Sequence, residues 1–195
     1  MRFIEGTDLR ALLRSEGPME PPRAVRLIEQ VAGALDEAHA SGLVHRDVKP
    51  ANILLRQRHA QERAYLTDFG ISKHRAAGAE LTGTGLAIGT PDYMAPEQAR
   101  GRPVDARADV YSLGCVLYQA LTGRLPFDHE SDLENLWAHV YEPVPDLGTI
   151  RPDASQSLVA AIAAAMAKDP ADRPGSAGEF AWMTRAAAAS QPVRP

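Results

Sequence analysis

Within eight residues, His45-Arg46-Asp47-Val48-Lys49-Pro50-Ala51-Asn52, the chain gathers a carboxylate that can take a proton, a cation that can meet a phosphate and an amide oxygen that can bind a metal. Further on, Asp68-Phe69-Gly70 supplies a second carboxylate. Between the two runs, the apolar Ile53-Leu54-Leu55 and Ala64-Tyr65-Leu66 flank a polar stretch. That pattern reads as a hairpin, which would return Asp68 to the side of Asn52. A carboxylate with an amide oxygen suits magnesium, a hard cation that takes few protein ligands and completes its shell with phosphates and water. No zinc site is indicated. Taken alone, the first run also reads as a polar surface loop after a helix, with Asp47 as a cap and Lys49 solvated.

Three runs in order, His45 to Asn52, Asp68-Phe69-Gly70 and Ala95-Pro96-Glu97, resemble the catalytic loop, the D-F-G element and the A-P-E element of protein kinases. The resemblance implies ATP and Mg2+ as cofactors, Asp47 as acceptor of the substrate hydroxyl proton, and Asn52 and Asp68 as metal ligands. Lys49 matches the serine/threonine form of the loop, in which it reaches the phosphate being transferred. His45 is the other candidate base, but in the family pattern its ring packs beneath Phe69, whose own packing separates active from inactive states. The opening Met1 to Asp8 resembles a kinase hinge, with the backbones of Arg2 and Ile4 bonding adenine and Asp8 near the ribose; it reads equally as an ordinary strand. Leu54 is implied as the apolar floor under adenine, or else is a plain buried strand residue.

The segment from Asp68 to Glu97 is rich in Gly, Ala, Ser and Thr, the composition of a loop ordered by a new charge. Thr82 and Thr84 are the candidate phosphate acceptors, and Arg46 is the guanidinium that could clamp the product. Thr90 resembles the substrate-loop threonine that bridges Asp47 and Lys49. The resemblance pairs Glu97 with Arg173, in the Asp169 to Pro174 run, as a buried ion pair.

These residues need a frame to hold them. Asp8 to Arg14 reads as a short helix, and Pro21-Pro22 begin a long one in which Val25, Leu27, Ile28, Val31, Leu35 and Ala38 recur at helical spacing as far as Gly42. Asp105 starts a helix that is almost wholly apolar after its first turn, and therefore buried. Its Asp109 must find donors, and the backbone N–H groups of the His45-Arg46 turn are the expected ones. Further helices are expected at about 131–141, 155–167 and 176–188. The fold class is α+β, mainly α-helical.

A chain of 195 residues is one domain of ordinary size. Its net charge of −4 offers no basic field for nucleic acid or an anionic membrane. One cysteine, Cys115, rules out an internal disulfide and fits a reducing compartment, so a cytoplasmic location is expected. The opening has no secretory pattern, and the apolar run Leu158 to Ala167 is far short of the roughly 20 residues that span a bilayer.

The resemblance covers essentially the whole chain and is closest to bacterial serine/threonine kinases of the eukaryotic type. It corresponds to the large C-terminal lobe alone, over 1–188, with a hinge at 1–8, a catalytic loop at 45–52, an activation segment at 68–97 and a flexible tail at 189–195; the N-terminal lobe is absent. Nothing matches the glycine-rich loop, the strand lysine or its helix glutamate. The implied function is transfer of the ATP γ-phosphoryl group to Ser or Thr of proteins, with low activity in this piece alone and kinase–kinase dimers as the partner for activation. The alternative is a non-catalytic kinase-like binding module, against which the retention of Asp47, Asn52 and Asp68 speaks.

Overall fold

The computed structural model describes residues 6–58, 61–69 and 91–189. Arg2, Ile4, Thr82, Thr84 and Thr90 lie outside them. A two-residue strand β1 (Thr7–Asp8) leads into helix α1 (Leu9–Glu16) and then the long helix α2 (Pro21–Ala40). A 3-10 turn (Pro50–Asn52) opens the hairpin β2 (Ile53–Arg58) and β3 (Gln61–Leu66). After the undescribed stretch, a 3-10 turn (Pro91–Tyr93) is followed by α3 (Pro96–Ala99), α4 (Ala106–Thr122), α5 (Asp132–Tyr141), α6 (Leu147–Ile150), α7 (Gln156–Ala165) and α8 (Ala177–Ala189). The expected helices are present, and the last runs one residue into the expected tail.

Each boundary has a local cause. Asp8 Oδ1 accepts the Ala11 N–H at 2.8 Å and so caps α1. In α2, prolines at the first helical positions start the helix where a missing N–H costs nothing. Asp105 caps α4 through the Arg107 N–H, and Gly123, at φ 71, closes it in the left-handed conformation that glycine adopts without strain. The three strands form an antiparallel sheet in the order β1-β2-β3, with Asp8 opposite Leu54 and Ile53 opposite Leu66.

Helix α4 is the centre of the core. From Ala108 to Leu117 every residue is buried, as the continuous apolar run of the sequence requires. Helix α2 packs along it with Val25, Ile28, Val31 and Leu35, all at most 3% exposed. Helix α7 approaches so closely that a Cβ on Gly114 would come 3.0 Å from Ala165 Cβ, which is why this buried helix carries a glycine in mid-course. Helix α8 is tied to α2 end-on, since Asp36 Oδ1 and Oδ2 accept the Ala177 and Gly178 N–H groups at 3.1 and 2.9 Å. Among the described residues, no helix is long and apolar enough to cross a membrane.

Candidate active site

The His45 to Asn52 loop has no regular backbone ladder of its own, so side chains from the helices hold it. Asp109, fully buried in the first turn of α4, accepts the His45 N–H with Oδ2 and the Arg46 N–H with Oδ1, both at 2.8 Å. His39, at the end of α2, lies 2.7 Å from the same Oδ2 through Nε2. A carboxylate buried in an apolar helix is thus surrounded by three donors, and that surplus of donors is what makes its burial affordable in the core.

The turn fixed in this way is strained. Arg46 has φ 63 and Asp68 has φ 58, and no other non-glycine residue among those described has a positive φ. Such backbone costs an L-residue about 1–2 kcal/mol and persists only where neighbours impose it. Both residues belong to the runs singled out above.

His45 is fully buried. Its Nε2 lies 2.9 Å from the Thr67 carbonyl and so donates, while Nδ1 accepts the Asp47 N–H at 3.2 Å. Both ring nitrogens are therefore engaged by backbone, which defines a neutral tautomer and leaves no lone pair for a substrate proton. The ring centroid stands 4.7 Å from that of Phe69.

Asn52, 6% exposed, turns its amide nitrogen to Asp47 at 2.8 Å from the carbonyl oxygen and 3.2 Å from Oδ2. With the nitrogen committed, the amide oxygen is the atom left to face a cation. The Asn52 carbonyl in turn accepts Thr67 N–H at 2.9 Å and Thr67 Oγ1 at 3.2 Å. These two bonds bring the residue before Asp68 against Asn52, and the exposed Asp68 follows at once. Lys49 Nζ lies 2.9 Å from Asp47 Oδ2. Asp47, Lys49, Asn52 and Asp68 are accordingly neighbours, assembled by a loop and a hairpin.

The other sequence candidates fall into two groups. Leu54, half-buried in the central strand, is opposite Asp8 on one side and Tyr65 on the other. Arg46 is half-buried, and its Nε is shielded from solvent with no hydrogen-bond partner among the described residues. Farther away, Arg173 meets Glu97 in a two-pronged pair at 2.7 and 2.8 Å, with side chains 0% and 5% exposed. Arg173 also donates to the carbonyls of Ala167, Arg107 and Lys168.

Three residues join the site that the sequence did not point to. His39 was hidden because a histidine in a helix's last turn reads as a favourable end charge. Ser112 donates to the Tyr93 carbonyl at 2.7 Å and Gln98 to the Arg46 carbonyl at 3.0 Å, and neither carries a spacing signal strong enough to be noticed.

Residues 1–184 match the family model described as the protein kinase domain. The chain is 49% identical over 182 residues to the serine/threonine-protein kinase PknD of Mycobacterium tuberculosis, which covers 93% of this chain and 27% of the relative. With the serine/threonine-protein kinase PknE of the same species it shares 44% over 190 residues, 97% of this chain and 33% of the relative. The crystal structure of the Mycobacterium tuberculosis PknI kinase domain superposes with a TM-score of 0.74 at 33% identity, covering 95% of this chain and 64% of that one. That of the Rad53 kinase domain in complex with AMPPNP gives 0.70 at 26%, covering 92% of this chain and 65% of that one. The chain thus spans between about a quarter and a third of the curated relatives it matches. A family model across nearly every residue, joined to a sheet-and-helix frame that superposes on solved kinase domains, makes this chain a member of the protein kinase domain family, of the bacterial serine/threonine type.

Proposed function

We propose that these residues form the large lobe of a serine/threonine protein kinase and carry the proton-accepting and metal-binding side of γ-phosphoryl transfer from ATP to Ser or Thr of proteins. The observation that carries the reading is the Asn52 amide, whose nitrogen is bound to Asp47 while its backbone carbonyl holds the strand end that presents Asp68. One polar residue thereby ties the Asp47 turn to the strand end that precedes Asp68. The donor set fits Mg-ATP: an amide oxygen and carboxylates are hard ligands, and Asp68 is exposed to solvent, where phosphates and water would complete the shell. When bound, magnesium neutralises charge developing on the phosphoryl oxygens.

The chain's own residues then divide the work. Asn52 and Asp68 hold the metal. Asp47 accepts the proton of the incoming hydroxyl, a role open to it because both nitrogens of His45 are occupied. Lys49, beside Asp47, places a cation where the transferred group would pass. Arg2, Ile4, Asp8 and Leu54 take the adenosine end, with Asp8 also capping α1. Thr90 orients substrate against Asp47 and Lys49. The buried Nε of Arg46, without a partner among the described residues, supports its role as the clamp for a phosphate on Thr82 or Thr84.

The test joins the chain to a small lobe borrowed from a bacterial serine/threonine kinase and measures labelled-phosphate transfer to a protein substrate, with Asp47→Asn as the control. Transfer should fall by at least 100-fold in the control. Equal labelling by both forms rejects the assignment. Mg-ATP binding by the 195-residue chain separates the kinase reading from a binding module, which has no need of nucleotide.

A further inference from the structure

We infer that Gln98 is a positioning residue that clamps the strained Arg46 peptide and thereby aims Asp47; the inference rests on the phosphotransfer reading above. Its side chain spans two structures. Oε1 accepts the Ala95 N–H at 3.1 Å, and Nε2 donates to the Arg46 carbonyl at 3.0 Å across 52 residues of sequence. The first contact is half of a capping box for α3, half because Ala95 has no side-chain oxygen to complete it. The second contact has no part in α3 at all.

What it does is set by the backbone it reaches. Arg46 is held at φ 63. Asp109 bonds its N–H at 2.8 Å, and Gln98 bonds its C=O. A residue whose two flanking peptide planes are both held cannot relax into the ordinary region. The Arg46 carbonyl belongs to the same peptide plane as the Asp47 N–H, which points at His45 Nδ1 at 3.2 Å. Turning that plane would release both groups and swing Asp47. Asp109 fixes the entry to the strained residue, and Gln98 fixes the exit.

The platform from which Gln98 reaches is itself anchored. Its neighbour Glu97 is locked to Arg173 at 2.7 and 2.8 Å, and Pro96 and Ala95 are buried. Helix α3 begins within the last residues of the segment proposed to respond to phosphorylation. A shift of α3 would therefore withdraw a donor from the catalytic loop, which gives that segment a mechanical route to Asp47.

The two roles of Gln98 can be separated by one isosteric change. Gln98→Glu keeps an oxygen for the Ala95 N–H but sets an acceptor against the Arg46 carbonyl; Gln98→Leu removes both contacts. Amide hydrogen exchange on the 195-residue chain should show the Asp47 N–H exchanging at least 10-fold faster in Gln98→Glu, with the Ala95 N–H unchanged. In Gln98→Leu both should loosen. The small-lobe fusion carrying Gln98→Glu should lose about 10-fold in kcat, with the KM for ATP within 2-fold of the parent. An Asp47 N–H that exchanges at the parental rate in Gln98→Glu overturns the clamp, as does joint loosening of Asp47 and Ala95, which would mean that α3 merely frays. An unchanged kcat overturns the aiming of Asp47. Should the parent fusion label no better than its Asp47→Asn form, phosphotransfer itself is lost and the positioning role with it, while hydrogen exchange still decides the contact.

Discussion

Asp68 combines an exposed carboxylate with a backbone at φ 58, and the two features make separable predictions. Aspartate tolerates the left-handed region better than most residues because its short polar side chain can bond locally. Alanine has the same Cβ and no such relief, whereas glycine has neither the cost nor the carboxylate. Asp68→Ala should therefore lower stability by about 1 kcal/mol, and Asp68→Gly should stay within about 0.5 kcal/mol of the parent. Both should abolish stabilisation by Mg-ATP. Urea unfolding with and without nucleotide measures the two effects together, and equal loss in both variants would show that the backbone at this position carries no strain. At this scale the candidate residues were legible in the sequence and the strain was not. Asp47, Asn52 and Asp68 announce themselves by type and offset, but nothing in the letters Arg46 or Asp68 records a positive φ. His39 and Gln98 were illegible for a different reason: each acts on a partner 70 or 52 residues away, and spacing within a window cannot report on that.

Among the elements, α5 shows how packing overrules hydropathy. Its Leu133, Trp137 and Tyr141 are 67%, 55% and 62% exposed, while Asn135 and His139 are buried. The polar pair is buried because each has a partner: Asn135 Oδ1 accepts the His129 N–H at 2.8 Å, and His139 Nδ1 lies 2.9 Å from the Tyr111 hydroxyl of α4. Helix periodicity in the sequence located α5 correctly but could not tell which face turns inward. The seat of His139, between the rings of Tyr111 and Phe127, has a consequence in acid. Burial first, and the neighbouring Lys168 ammonium second, hold its pKa down at about 4 from an ordinary 6.5. Between those values the unfolded chain binds a proton that the folded chain refuses, so stability rises with pH. The contribution is complete above about pH 6.5 and is lost as pH falls towards 4, on the order of 3 kcal/mol in all. Asp92, whose carboxyl is pushed up by burial and by Asp132 and Asp128, works in the opposite sense. Chemical denaturation at pH 7, 5.5 and 4.5 should therefore show a shallower pH slope in His139→Gln than in the parent, and parallel slopes would refute the role given to this ring.

For the molecule as a whole, the decisive link is Arg173. Its guanidinium joins α3 through Glu97, the start of α4 through the Arg107 carbonyl, and the turn after α7 through the carbonyls of Ala167 and Lys168. It also lies 4.9 Å over the Tyr111 ring. Three separate elements thus share one fully buried cation. Removing one partner of such a pair leaves a charge in the core and costs about 3–5 kcal/mol, a large part of the roughly 5–15 kcal/mol that stabilises a typical domain. Arg173→Met should be worse than Glu97→Gln, because it strands three carbonyls along with the carboxylate, whereas the glutamine can still accept from the arginine. The Glu97→Leu, Arg173→Met double variant should recover part of the loss, since neither charge then remains unpaired. Denaturant midpoints of Glu97→Leu, Arg173→Met and the double variant close the cycle. If the double variant loses the sum of the single losses, the two residues act independently, and the connection between the end of the proposed activation segment and the C-terminal helices is not made here.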